Sequence, residues 1–199
     1  MSQPSTRVDG RTARSERTRN AIVDAHVHLI TSGDLKPTAD RIAKQAGISL
    51  RALWSHFADM EALFSASGER ILAMRDEAHE PVPDDLPLPE RIEAFCRQRA
   101  RMLEELAPAA RAAALKEPFS PALQRYRKAH MRRVRDELCA LFPAEIGDDE
   151  PRLAALTAAS MFSTWETMRT VMDLDTDAAR EALTRAVTAL LAEGTAPLA

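Results

Sequence analysis

Between Thr38 and Phe57 the chain gathers hydrogen-bonding side chains onto two short apolar-patterned segments separated by Gly47. The run is Thr38-Ala-Asp-Arg-Ile-Ala-Lys-Gln-Ala-Gly47-Ile-Ser49-Leu-Arg-Ala-Leu-Trp-Ser-His-Phe57. This spacing predicts two short helices joined by a glycine turn, the helix-turn-helix layout that sets one helix into the DNA major groove. The chemistry available there is hydrogen bonding to base edges and phosphates. Arg51 is the side chain able to hold guanine through two parallel hydrogen bonds, and Ser49, Ser55 and His56 are polar and early in the same predicted helix. Leu50 and Ala52 can make only apolar contacts, for example to a thymine methyl. Trp54 and His56 carry donors able to reach phosphates. Thr38, Lys44 and the N-terminal Arg7, Arg11 and Arg14 would add backbone contacts that position a protein without reading sequence.

The elements that must hold these residues are helical. Ala, Leu, Glu and Arg are abundant, aromatics are 5%, and few segments alternate apolar and polar long enough for a strand. Residues 1–14 read as a disordered basic arm. A first helix is expected from about Ser15 to Thr31, with Ile22, Ala25 and Leu29 on one stripe widened by Val23, Val27 and Ile30, and with Gly33 as its stop. Thr38 and Ser49 are placed to cap the second and third helices. A fourth is expected from about Asp59 to Glu80. Four prolines in Pro81–Pro89 then make a rigid loop. Further helices are expected at Glu90–Leu106, Ala107–Lys116, from Pro121 to about Phe142, from Pro151 to Met172, and from Thr176 to Gly194. The last carries the stripe Ala179, Leu183, Ala186 and Leu190. Leu153–Met172 is apolar or small nearly all round, with Glu166 and Arg169 its charged residues. Such a helix must be buried on more than one side, which predicts a homodimer built on the last two helices. The domain reading is an arm at 1–14, a DNA-binding domain at 15–58 and a ligand-binding and dimerisation body at 59–199. The fold class is all-α.

Charge divides along the same line. The net charge of the 199 residues is −3, yet residues 1–60 hold nine Lys/Arg against six Asp/Glu, a net of +3 that leaves −6 for the rest. A basic head on an acidic body places phosphate contact in the head. The N-terminus is polar and Arg-rich without an apolar signal core, and the several Ser/Thr in Leu153–Met172 argue against a membrane span, so the expected location is the cytoplasm. No P-loop, GxGxxG or GxSxG motif is present, so no enzyme chemistry and no cofactor is expected. No CxxC or His/Cys cluster offers metal geometry. His26 and His28, two apart on a helix, point to different faces. Cys96 and Cys139 read as small buried hydrophobes in predicted helices, with a redox-sensing pair as the lesser alternative.

In the body, Phe95, Met102, Phe119, Tyr126, Met131, Phe162, Trp165 and Met168, with His130 as a polar handle, are candidates to line an adaptable apolar cavity for a small molecule. The cationic run Arg125 to Arg135 could meet an anionic ligand, but a solvated helix face explains it equally.

The chain resembles the TetR family of transcriptional regulators in Thr38-x-x-x-Ile42-Ala43-x-x-Ala46-Gly47-Ile48-Ser49, then Leu53-Trp54-x-x-Phe57, then Glu61-Ala62-Leu63, preceded by Arg19-x-x-Ile22-x-x-Ala25. The likeness is strong over about residues 15–65 and reaches the body only in layout. It implies a dimer that binds a palindromic operator, usually represses, and releases DNA when a small molecule enters the body. Leu50 stands where that family often has a basic residue, Trp54 where Tyr is usual, and Met60 precedes Glu61 where a lysine is common in that region. Those departures move phosphate affinity toward the arginine arm. A helical carrier protein without an operator, or a constitutive DNA-binding regulator without an effector, remain the alternatives on sequence.

Overall fold

Apolar residues at helical spacing on α1 (Thr6–Thr31) form the stripe around which the first helices gather. Ile22, Val23, Ala25, Val27 and Ile30 are buried, and α1 packs against α2 (Ala39–Gln45), α3 (Leu50–His56) and α4 (Met60–Glu77). Ile42, Ala43, Leu53, Phe57 and Leu63 close this small core. The computed structural model describes residues 6–83 and 85–192, which contain ten α-helices, one 3-10 turn, one π turn and no strand. α1 begins well before the expected Ser15. The residues between are mostly compatible with helix, Gly10 being the one that disfavours it. Residues 1–5 and the expected stop at Gly194 lie outside the described residues, as do the side chains of Arg7 and Arg11.

α5 spans Leu88–Ala114. It runs through Pro108, where two helices parted near Leu106 are expected; the proline removes one backbone hydrogen bond without ending the helix. A 3-10 turn at Glu117–Phe119 leads to α6 (Pro121–Leu141), then α7 (Pro143–Ile146), α8 (Glu150–Ala159), α9 (Phe162–Glu166), a π turn at Thr167–Val171 and α10 (Thr176–Ala192). Two compact units result: residues up to Glu77 together with Pro108–Tyr126, and Ala78–Ala107 together with the chain from Arg127. Compactness thus divides the chain elsewhere than after residue 58. α4 belongs with the head because Leu63, Ala66, Ile71 and Leu72 are buried there.

The second unit has its own core, in which Ile92, Phe95, Leu138, Phe142, Leu156, Trp165 and Leu183 are buried together. The rings of Phe95 and Phe142 meet edge-on at 5.9 Å. On α10 the buried stripe is Ala179, Leu183, Val187 and Leu191. Ala186 is exposed and Leu190 half-buried, so the expected stripe drifts off the core in its second half. The i, i+4 run fits a helix whose apolar side faces one neighbour, and α10 packs on α8.

The expected single helix Pro151–Met172 is broken. α8 stops at Ala159 and Met161 is extended, with φ −84° and ψ 155°. At the break the buried Arg99 of α5 donates from Nε to the Ser160 carbonyl at 2.9 Å. The Thr164 amide donates to the Met161 carbonyl at 3.2 Å, and its Oγ1 to the Ala158 carbonyl at 2.7 Å. The π turn that follows sets Trp165 Nε1 and Arg169 Nε on the same Glu104 oxygen, at 2.7 Å each. Asp173, with φ 53°, ends the segment in the left-handed region.

Candidate nucleic-acid interface

The reading head is assembled from local signals. α1 ends at Gly33 (φ 94°), where the Gly33 amide reaches the Ile30 carbonyl and the Asp34 amide the Leu29 carbonyl. α2 ends the same way at Gly47 (φ 69°), with the Gly47 amide on the Lys44 carbonyl and the Ile48 amide on the Ala43 carbonyl. Both are Schellman ends, and both need the positive φ that glycine adopts without strain. Thr38 Oγ1 accepts from the Arg41 amide at 3.3 Å and Ser49 Oγ from the Ala52 amide at 3.2 Å. The turn between α2 and α3 is therefore fixed at both sides by backbone chemistry.

That turn decides what α3 shows. Leu53 and the following Phe57 go to the core, Ala52 and His56 are half-buried, and Leu50, Arg51, Trp54 and Ser55 are exposed. Lys44 and Thr38 are exposed on the neighbouring segment. Ser55 Oγ donates to the Ala52 carbonyl at 2.7 Å, so its proton is turned back on its own helix and it offers a base only an acceptor. The Arg19 guanidinium lies 4.7 Å from the centre of the Phe57 ring, joining α1 to the end of α3. Arg41 pairs with Asp34 at 2.8 Å.

α4 is held on two sides within the same unit. Toward α1, the buried His26 Nδ1 meets Ser67 Oγ at 2.7 Å, its ring lies 5.7 Å from that of Phe64, and Arg70 pairs with Asp24 at 3.1 Å. Burial drives the His26 pKa down to about 4, with the charge of Asp34 acting weakly the other way, so the ring is neutral at physiological pH. Toward α6, Glu61 takes the Ser120 hydroxyl at 2.7 Å on one oxygen and the Ala122 amide at 2.6 Å on the other. Ser120 itself caps α6 by accepting from the Leu123 amide at 3.1 Å. A carboxylate thus sits on the positive end of α6. Further along α4, Gly68 lies under Tyr126, where an added Cβ would meet the ring at 3.0 Å. None of these roles was legible in the sequence.

The residues expected to line a cavity fall in both units. Phe95, Trp165 and Met168 are buried together in the core of the second unit, with Phe162 packed against it and Met102 half-buried on α5. His130 is half-buried on α6. Tyr126 belongs to the first unit and packs on Gly68. Phe119 is 88% exposed, because Glu61 fixes Ser120 and Ala122 and leaves the preceding turn facing water; Met131 is also exposed. A groove of about 720 Å³ in the second unit runs instead between the start of α5 and α10, past Leu88, Ile92, Glu93, Ala178, Glu181 and Thr184. Cys96 is buried, its thiol pushed up to about 11 by burial against the opposing hydrogen bond of Thr184, which leaves it protonated at neutral pH. Cys139, expected to be buried, is exposed.

Solved structures with this arrangement exist. A TetR-family transcriptional regulator from Streptomyces coelicolor superposes with a TM-score of 0.69 at 18% identity, covering 90% of this chain and 82% of the other. The fold is that of the TetR-family regulators. A transcriptional regulator from Rhodococcus sp. Rha1 superposes with a TM-score of 0.61 at 22% identity over 92% of this chain and 99% of that one. The multidrug binding protein EbrR, complexed with imidazole, gives 0.57 at 20% identity over 84% and 93%. No protein-family model matches the sequence, and no curated protein aligns with it significantly.

Proposed function

We propose that this protein is a ligand-responsive transcriptional regulator, a repressor that binds a palindromic operator as a homodimer and leaves it when a small apolar effector binds. The observation that carries the reading is the outward face of α3. A seven-residue helix capped at both ends presents exposed Arg51 beside exposed Lys44 and Thr38, on a TetR-type fold. A helix so placed offers base-edge and phosphate contacts together. In a dimer the two copies of α3 would stand about 34–36 Å apart or somewhat more, matching one turn of DNA. Its place of work is the cytoplasm; among the described residues no helix is long and apolar enough to cross a membrane.

The effector is a small organic molecule taken up in the second unit beside Phe95, Met102, Phe162, Trp165 and Met168. Half-buried Met161 and Phe162 pack against that core and supply it with an adaptable edge. A related fold belongs to a protein described as multidrug binding. The moving element is α4, tied to α1 through His26 and to the first turn of α6 through Glu61. By linkage, an effector that weakens DNA binding must itself be bound more weakly by the DNA complex, by the same factor.

Selecting duplex DNA from a random pool with the full chain tests the reading. Enrichment of an inverted repeat is expected, and a flat pool would overturn it. A thermal-shift screen of small apolar compounds, followed by gel shift on the selected operator, then tests release.

A further inference from the structure

On α3, a helix of about 100° per residue, Arg51 and Ser55 lie opposite the buried Leu53, and Leu50 and Trp54 lie on the flank between them and the core. The exposures agree, and they divide the outward face into two columns. Arg51 and Ser55 make one column, Leu50 and Trp54 the other. Ser55 has its hydroxyl proton on the Ala52 carbonyl, and Ser49 and Thr38 are engaged as caps, so most of the small polar groups near the face are already used. The apolar column is the unspent part. Leu50 is 39% and Trp54 40% exposed, four residues apart and therefore adjacent, on an otherwise polar surface.

Keeping two large apolar side chains in water is unfavourable unless a partner covers them. The edges of base pairs in the major groove carry one apolar group, the C5-methyl of thymine. Leu50 and Trp54 are separated by about 6 Å along the helix, which is close to two base-pair steps of about 3.4 Å. We propose that Leu50 and Trp54 form an apolar reading edge that selects two thymines, two base-pair steps apart, beside the guanine held by Arg51, by burying their methyl groups. The assignment rests on the DNA-binding reading above and deepens it. It moves Trp54 from phosphate contact to base discrimination, and it gives a use to the leucine that stands where a basic residue is common in similar proteins.

Uracil lacks only the methyl that this edge reads. In the selected operator, each thymine is replaced singly by deoxyuridine and the affinity of the full-length protein is measured by competition. Burial of one methyl is worth about fourfold in affinity, so a loss of about that size is expected at two thymines two base-pair steps apart in each half-site and none at thymines elsewhere. Leu50→Ala is expected to bind thymine and uracil equally at one of those positions, while Trp54→Phe keeps the discrimination at the other. Leu50 is exposed, so the variant folds, which a melting curve checks. Equal binding of thymine and uracil operators by the wild type would overturn the proposal and leave DNA binding standing. A wild type that enriches no operator at all would overturn both.

Discussion

Of the four side chains that α3 turns outward, Arg51 alone carries donors in a planar fork, and the geometry of that fork decides its role. Arg51→Ala is expected to cost about 1–3 kcal/mol of specific binding and to relax preference at one base position. Arg51→Lys should not restore it, because a single ammonium cannot make the paired contact. Competition gel shifts against operators substituted at each position distinguish this from a phosphate contact, whose loss would weaken all sequences alike. His26 gives the second expectation at this scale. Its folded pKa of about 4 lies below the usual 6.5, so the unfolded chain takes up a proton first as pH falls. Stability contributed by the neutral ring is fully present above about pH 6.5, declines down to about pH 4, and is flat below. A shift of this size corresponds to something on the order of 3 kcal/mol. Urea unfolding between pH 7.5 and 4.5 should show the slope, and His26→Gln should flatten it while leaving a side chain that can still meet Ser67.

Among elements, α4 joins two neighbours, and its hydrogen bonds to the start of α6 come from one carboxylate. Glu61 takes the hydroxyl of Ser120 and the Ala122 amide, so Glu61→Ala leaves α6 uncovered at its first turn. A loss of about 0.5–2 kcal/mol is expected, the range for a helix cap, and amide exchange at Ala122 should rise before exchange at Leu53 does. If exchange rose equally throughout, the effect would be global and not a local joint. Comparing helices also shows what a sequence makes legible. Thr38, Gly47 and Ser49 are readable because the groups they satisfy lie within five residues of them. The break after Ala159 is not, because the side chain bonded there is the guanidinium of Arg99, 61 residues from Ser160. Nothing in Ala158-Ala-Ser-Met-Phe162 marks a turn. Glu61 is equally hidden: it belongs to a run legible as a helix start, but its partners lie 59 and 61 residues on. Phe119 fails for the same reason. Its type points to a cavity, while a distant carboxylate fixes the turn that exposes it.

For the whole molecule the open question is the second copy. Sequence reasoning locates it on the last two helices from their low charge. The structure narrows which side of them is available, because Leu183, the obvious apolar target, is 2% exposed within its own chain and cannot report on a partner. A charge there would be buried, and Leu183→Glu would unfold the second unit whether or not a dimer exists. The outward sides hold Ala154 and Ala158 on α8 and Ala186 and Ala189 on α10, all exposed and small. Small uncharged side chains let helices of two copies approach closely, and they do so where an acidic body would otherwise repel itself. Ala186→Glu therefore tests the interface without disturbing the core. The variant should keep its helical content and sediment as a monomer, with a melting temperature that no longer rises with protein concentration. Its operator binding should fall by the larger factor that comes from losing simultaneous engagement of two half-sites, while binding to a single half-site stays unchanged. A variant that still sediments as a dimer would place the interface on another face. A monomer that kept full operator affinity would mean that one reading head suffices, and the palindrome would then have no mechanical basis.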